Sequence, residues 1–440
     1  MQQSIKAASE KFLASIRDKT LTVISHFDTD GITSAAIIAR TLSRLKKKFS
    51  IRILKQFEPS ILEEIKNDVV LFLDLGSSNL KKIAQLNSQS NKEVFVIDHH
   101  EITDEVPGNI VVINPQLHKG EEISASGLTY LFCKEICQPG HIQELAKLAV
   151  LGMVGDMLDQ ELSKLNNEIL KDAEVIIKKG LLLYPATRPL HKALEYGSGL
   201  YIPGITGNSR GVFDLLAEAG IRKENDSFKS LIDLSEEEMS KLLTAVLLRK
   251  KDSKDIIGNI YLLRFFNKLE DARELSAMIN ACSRLGNPEI AIALCLNNKK
   301  ARSKAEEIYA NYKQQIIQAL NFVEQNKIEG KGYVIVNAKD MIKDTIIGTI
   351  ISIISNSKTY PVGTVVVGLA YDNDKIKASA RICGRDGRNV RQVLEFATKD
   401  LPEVECGGHP FAAGCLVHKN FEQNFINNLH KAMELEVVKI

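Results

Sequence analysis

Residues 21–48 read LTVISHFDTDGITSAAIIARTLSRLKKK. The opening LTVIS is apolar and β-rich, a short turn of acidic and small residues follows, and from Gly31 the apolar positions recur at helical spacing. The stretch therefore reads as strand, turn and helix. The pattern returns in IRILKQF at 51–57, in VVLFLDLG at 69–76 with a helix from Ser78, and in EVFVIDHH at 93–100. Strands that alternate with helices build βαβ units around a parallel sheet, so the fold class is α/β. The runs at 69–73 and 94–97 are apolar without interruption, as strands covered on both faces are. Their ends carry acidic residues or histidines, and in open α/β sheets ligands gather at the carboxyl ends of strands.

With 440 residues and 44% hydrophobic content, the chain has material for two or three domains at about 150 residues each. Three regions are expected. Residues 1–190 form the parallel-sheet domain, 191–255 a connector and helical bridge, and 256–440 a smaller C-terminal α/β domain. The connector rests on TRPLHKALEYGSGLYIPGITGNSRG, rich in Gly and Pro, and on LSEEEMSKLLTAVLLRKK, where Ser235 and Glu238 form a capping box. Residues 124–177 read as helical. In the last region the expected order is a strand NIYLLRFF, a helix ending at Arg284, a strand PEIAIALCL, a helix over 302–325, and strands at 332–337, 362–370 and 375–382.

Composition excludes several classes. Lys plus Arg is 57 against 55 Asp plus Glu, so any contact with a polyanion must come from a local patch. No apolar run reaches the roughly 18 residues a spanning helix needs, and the polar start MQQSIKAASEKFLASIRDKT is unlike a signal peptide, so a cytoplasmic location away from membranes is expected. Seven scattered Cys read as reduced core thiols. An aromatic content of 6% with no Trp argues against an extended base-stacking platform.

The chemistry is concentrated in His26, Asp28 and Asp30 after LTVIS, Asp74 after VVLFL, Asp98, His99 and His100 after EVFVI, and Asp156 in LAVLGMVGDM. Alternation along an extended strand would set His26, Asp28 and Asp30 on one side. A carboxylate cluster at the mouth of an apolar sheet repels itself, and divalent cations are the usual remedy. Mixed Asp and His ligation suits Mn²⁺ or Mg²⁺. Each residue alone has a plainer reading: Asp30 as a helix N-cap, Asp74 in a strand-to-helix turn, Asp98–His100 as a polar loop. Their joint occurrence at four places in one domain favours the metal site.

HFDTDG at 26–31, DLGS at 74–77, DHH at 98–100 and GDM at 155–157 resemble the four motifs of the DHH phosphoesterase superfamily. GGHPFAAGC at 407–415 resembles the signature of its companion C-terminal domain. INACSRLGNPEIAIALCL at 279–296 and TRPLHKALEYGSGLYIPGITGN at 187–208 are similar to segments of archaeal RecJ-like nucleases. The resemblance implies two Mn²⁺ ions per site, with Mg²⁺ as the alternative. One is held by His26, Asp28 and Asp74, the other by Asp30, Asp74, His99 and Asp156. It also implies that His100 acts on the scissile phosphate or the leaving oxygen, while Asp98 orients His99 or its loop. The implied partners are single-stranded nucleic acid and, through the helical bridge, GINS-type replisome proteins or a repair helicase.

In the C-terminal region, Gly407 and Gly408 let a backbone approach a phosphate and His409 adds a donor. Arg381, Arg385, Arg388 and Arg391 form a basic cluster just before a helix, a setting that favours anions. Lys46–Lys48 read as plain solvation at a helix end. The leading expectation is a metal-dependent exonuclease acting on single-stranded DNA or RNA in replication or repair. The alternatives are a small-molecule phosphodiesterase for short oligonucleotides or cyclic dinucleotides, and a non-catalytic replisome scaffold.

Overall fold

The computed structural model describes residues 1–434 except 58–59, 91, 104, 119–121, 161, 198–199, 201, 251–255 and 358, so parts of the expected connector lie outside the described residues. Strands β1 (Leu21–His26), β2 (Phe49–Leu54), β3 (Val69–Leu73), β4 (Glu93–Ile97) and β5 (Ile110–Ile113) pair in parallel in the order β2-β1-β3-β4-β5. The strand order reverses between β1 and β3, and a crevice opens at such a switch point. The apolar runs are covered on both faces, as their composition required. Ile24, Val70, Phe72, Val94 and Val96 share a core with Ile61 and Leu62 and with Leu80 and Ile83. On the other face lie helices α1 (Gln2–Ser15) and α2 (Thr29–Arg44), and the intervening α3 (Ser60–Glu64) and α4 (Leu80–Ser90) supply the first core. The Phe12 ring of α1 meets Phe95 of β4 edge-on at 5.2 Å. Helices α5 (Ala125–Ile136) and α6 (Ile142–Gly155) pack on α2, which is why Ile32, Ala35, Ala36, Ile38 and Leu42 are all buried.

Helix α7 (Lys164–Asp172) ends the helical stretch. The chain then enters strand β6 (Ile176–Leu181), which pairs antiparallel with β7 (Ile257–Phe265), itself paired with β8 (Lys268–Asp271). The intervening helices α8 (Leu190–Tyr196), α9 (Ser209–Glu218) and α10 (Glu236–Arg249) bury Leu190, Leu215 and Leu242 in one core with Ile260 and Leu262 of β7. The capping box of Ser235 and Glu238 is present. Next come α11 (Ala272–Arg284), α12 (Pro288–Cys295) and α13 (Lys299–Asn326). PEIAIALCL is therefore a helix and not the expected strand. Pro288 in the first turn sets φ for a helix, Glu289 complements its dipole, and a short apolar run carries no period that separates the two states.

The compact units are Met1–Tyr309 and Ala310–Ile440, so residues 256–309, grouped by the sequence with the C-terminal domain, fall in the first unit. In the second unit a six-stranded sheet runs β13-β14-β12-β11-β10-β9, from β9 (Ile328–Gly330), β10 (Tyr333–Asn337), β11 (Val365–Asp372), β12 (Lys375–Ile382), β13 (Glu405–His409) and β14 (Ala412–His418). Helix α14 (Asp344–Asn356) packs on β11 and β12, and α15 (Val390–Thr398) and α16 (Glu422–Glu434) share a core with the sheet. All seven cysteines are unpaired, and no helix among the described residues is long and apolar enough to cross a membrane.

Candidate metal centre

The acidic and imidazole side chains converge at the β1/β3 switch point, by a route other than strand alternation. Only His26 lies on β1; the chain then turns, Asp28 becomes the N-cap of α2 by accepting from Gly31 N (3.0 Å), and Asp30 sits in that helix's first turn. The N-cap role weighed for Asp30 thus belongs to Asp28. The Asp30 carboxylate is fully buried and accepts from Ala125 N (2.6 Å) and Ser126 N (3.0 Å) at the start of α5. A carboxylate at a helix N-terminus meets unpaired N–H groups and the positive end of the dipole. Asp74 follows β3 with φ +59°, an uncommon conformation for a residue other than Gly, held by its N–H donating to Ile97 O (2.9 Å). Asp156 closes α6, and Met157 after it is also left-handed at φ +59°.

Three groups of side chains each bring their candidate ligand atoms within 4.8 Å of one another: His26–Asp28–Asp74, Asp30–His99–Asp156, and Asp74–His99–His100. His26 Nδ1 lies 3.0 Å from Asp28 Oδ2 and 3.4 Å from Asp74 Oδ2. His99 Nε2 lies 3.2 Å from Asp156 Oδ2, 3.4 Å from Asp74 Oδ1 and 4.0 Å from Asp30 Oδ2. His100 is bound differently: its Nδ1 is 2.7 Å from Asp98 Oδ1. Asp98 also accepts from the N–H groups of His99 (2.8 Å), His100 (3.2 Å) and Ser77 (2.9 Å), so it braces its loop and the ring of His100, not that of His99.

Electrostatics show how poorly this cluster stands without a cation. Burial, then the charges of Asp28 and Asp30, pushes the Asp74 carboxyl up to about 7. Burial and the same neighbours, with Asp74, raise Asp156 well above the carboxylate range. Burial pushes the His99 imidazole down, but Asp74, Asp30 and Asp98 overcome it and lift it to about 9. At 4.8 Å and an effective dielectric of 20, each like-charged pair costs on the order of 3–4 kcal/mol. Among the described residues, both carboxylate oxygens of Asp74 and Nδ1 of His26 are buried without an aligned hydrogen bond. Buried polar atoms are rarely left so, and an oxygen-rich set with two imidazoles fits one or two hard divalent cations. Close packing around the set is obligatory: a Cβ on Gly152 of α6 would come within 2.1 Å of Ser126 Oγ and 2.3 Å of Asp30 Oδ1.

In the second unit, Gly407, Gly408 and His409 are exposed on β13, with Gly408 at φ +123°. Arg391 Nη1 reaches Gly408 O (3.4 Å), and Val390 N donates to Pro410 O (2.9 Å), which sets the start of α15 beside this hairpin. Arg385 is exposed. Arg388 is half-buried against Met433, and Arg381 donates to Ser352 Oγ, Ala380 O and Ala413 O. Sequence reasoning missed the anchoring of Asp30 by α5. The signal was there in Ser124-Ala125-Ser126-Gly127, an N-cap with small residues after it.

The profile of the DHH family, N-terminal domain, matches residues 20–153, that of the DHH-CID domain 183–256, and that of the DHHA1 domain 330–435. The chain belongs to the DHH superfamily and is RecJ-like. Membership supports a metal-dependent phosphoesterase. An uncharacterized protein of Methanocaldococcus jannaschii is 29% identical over 96% of this chain and 96% of its own. The single-stranded-DNA-specific exonuclease RecJ of Bacillus subtilis is 21% identical over 94% of this DHH chain, which spans only 45% of that relative. The crystal structure of exonuclease RecJ bound to manganese shares the fold, with a TM-score of 0.62 at 17% identity over 98% of this chain and 95% of that one. The DHH N-terminal profile ends before Asp156, which the geometry nonetheless brings to His99.

Proposed function

We propose that this DHH protein is a metal-dependent exonuclease that hydrolyses phosphodiester bonds of single-stranded DNA or RNA. The observation that carries the proposal is the buried Asp74, whose two oxygens, without an aligned hydrogen bond among the described residues, lie between the His26–Asp28 pair and the His99–Asp156 pair. His26, Asp28 and Asp74 hold one divalent ion and Asp30, Asp74, His99 and Asp156 a second, with Mn²⁺ as the ion proposed and Mg²⁺ as the alternative. When bound, such ions supply Lewis acidity to the phosphoryl oxygens and offset the charge that develops in an in-line displacement.

His100 is the proton donor to the leaving oxygen. Its ring is half exposed, and Asp98 fixes Nδ1 at 2.7 Å and leaves Nε2 for the substrate side. Burial depresses this imidazole, but Asp98 and Asp74 more than compensate and raise it above the ordinary histidine value. Asp74 and Asp30 hold position rather than move protons, the first through its constrained backbone and the second through the α5 amides. In the second unit Arg385, Arg388 and the Gly407–Gly408–His409 segment are the candidate phosphate contacts for a polyanionic chain. A GINS-type replisome protein or a repair helicase is the partner class, docking on α9 and α10.

All eight motif residues are present, and seven of them bring candidate ligand atoms together, which weighs against the scaffold reading. The decisive experiment incubates the full chain with end-labelled DNA and RNA single strands, from dinucleotides to long oligomers, in Mn²⁺ or Mg²⁺. Stepwise loss of mononucleotides from long strands is expected. Hydrolysis confined to dinucleotides would shift the assignment to a small-molecule phosphodiesterase, and no hydrolysis in either metal would overturn it.

A further inference from the structure

Helix α11 lies outside the sheet that carries the motif residues, yet it grips both turns that flank His99. On one side Thr29 Oγ1, between Asp28 and Asp30, donates to Ser276 O of α11 (3.0 Å). On the other, α6 ends at Asp156, the chain reverses at Met157, and Asp159 points back into the protein with only 5% of its side chain exposed. There Arg273 Nη2 of α11 lies 2.8 Å from Asp159 Oδ2, and the Tyr261 hydroxyl of β7 donates to Asp159 O (2.7 Å). Arg273 and Ser276 are one helical turn apart and therefore share a face. The two grips meet at Gly155, where a Cβ would stand 2.8 Å from Thr29 Cβ and 3.2 Å from Ser276 Oγ.

Asp30 and Asp156 both face the His99 imidazole, and they are held in unequal ways. Asp30 has two α5 amides on its own carboxylate, whereas Asp156 sits at a helix end whose next residue turns outward, with Met157 70% exposed. Backbone bonds from Met157 N to Val154 O (3.2 Å) and from Leu158 N to Met153 O (3.0 Å) close the helix end, and the first side-chain anchor beyond it is the Arg273–Asp159 pair, three residues from Asp156.

We propose that Arg273 is a positioning residue for the metal centre: through its buried ion pair with Asp159 it holds the turn that presents Asp156, and so sets the affinity of the Asp30–His99–Asp156 group for a divalent cation while touching neither ion nor substrate. The inference rests on the metal-binding reading given above. It gives α11 a part in the site that the motif residues alone do not show. It also separates the two ion positions, because the His26–Asp28–Asp74 group is supported by β1, β3 and the α2 cap and does not depend on the Asp159 turn.

The test is calorimetric titration of the full chain with Mn²⁺ alone, with stoichiometry checked by equilibrium dialysis. Wild type should bind two ions, and Asp156→Asn should identify which binding step belongs to the Asp30–His99–Asp156 group. Arg273→Ala should weaken that same step roughly 10–100-fold, the range for partners that orient a ligand from behind, and leave the other within about 2-fold. Arg273→Lys, which keeps the charge but loses the fork, should recover part of the loss. Should Arg273→Ala fail to fold, Asp159→Asn takes its place, since it removes the ion pair at nearly constant volume and leaves Tyr261 its backbone acceptor. Wild-type affinity at both steps, equal weakening of both, or no recovery with lysine would each overturn the proposal. Absence of Mn²⁺ binding in the wild type would instead remove the metal reading itself, and that outcome is visible before any variant is made.

Discussion

Gly152→Ala sets two effects of opposite sign against each other. Gly152 lies inside α6, where replacing Gly by Ala ordinarily stabilises by about 1 kcal/mol through helix propensity. Here the new Cβ would stand 2.1 Å from Ser126 Oγ, 2.3 Å from Asp30 Oδ1 and 2.6 Å from Thr33 Oγ1, all on buried residues. None of the three can swing into solvent, so α6 must move off α2 and α5, at roughly 1–3 kcal/mol for overpacking. Moving Asp30 also strains its bonds from Ala125 N and Ser126 N, each worth about 1.5–3 kcal/mol because the acceptor is charged. Losing one of them outweighs the propensity gain, and the net expectation is a destabilisation of about 2–4 kcal/mol. Urea unfolding of the metal-free chain reads this directly, and Mn²⁺ titration reads the displacement of Asp30. A variant as stable as wild type or more so, with unchanged metal affinity, would refute the claim that α6 packs on the Asp30 carboxylate at this distance.

Further outcomes follow from the same geometry. Asp74→Ala should abolish cleavage in Mn²⁺ and Mg²⁺ alike, by a factor on the order of 10⁴ or more, while circular dichroism shows the fold intact, because the lost oxygens are without aligned hydrogen bonds among the described residues. Retained turnover would remove Asp74 from its shared position. His100→Ala should lower turnover on the order of 10²–10⁴-fold with Mn²⁺ affinity preserved, and Asp98→Asn should lower it less, since an amide still accepts some of the four donors around that carboxylate. Loss of metal in His100→Ala would make this imidazole a ligand, as its place beside Asp74 and His99 allows. Arg385→Ala should flatten the salt dependence of single-strand affinity by up to about 0.7 in log–log slope, measured by fluorescence anisotropy in a metal that does not support cleavage. Arg381→Ala should leave that slope alone and lower thermal stability, as its donors serve Ser352, Ala380 and Ala413.

Local patterns in the sequence determined a good deal by themselves. Uninterrupted apolar runs at 69–73 and 94–97, set between helical segments, demand a parallel sheet with both faces covered. Parallel strands have all their carboxyl ends on one edge, so residues placed directly after strands, Asp74 and Asp98–His100, must share a neighbourhood with His26. That geometry needs no long-range information. Strand order does, because hydrogen-bonded pairing joins residues far apart in sequence, and only the folded sheet sets β1 beside β3 and makes the crevice.

The roles within the cluster were likewise decided in three dimensions. Asp28 and Asp30 sit two residues apart in one acidic turn and look equivalent as letters; one caps its own helix, while the other is held by α5 amides 95 and 96 positions away. Asp98 reaches the ring of His100, two residues on, and not that of the adjacent His99, a matter of side-chain direction that spacing does not encode. PEIAIALC became helical because a short apolar run is compatible with either state, and the packing of α12 on α2 and α11 selects one. The same cause put residues 256–309 with the first unit. A chain segment joins whichever core buries its apolar face, and α11 found its contacts at the Asp30 and Asp156 turns, more than a hundred residues upstream.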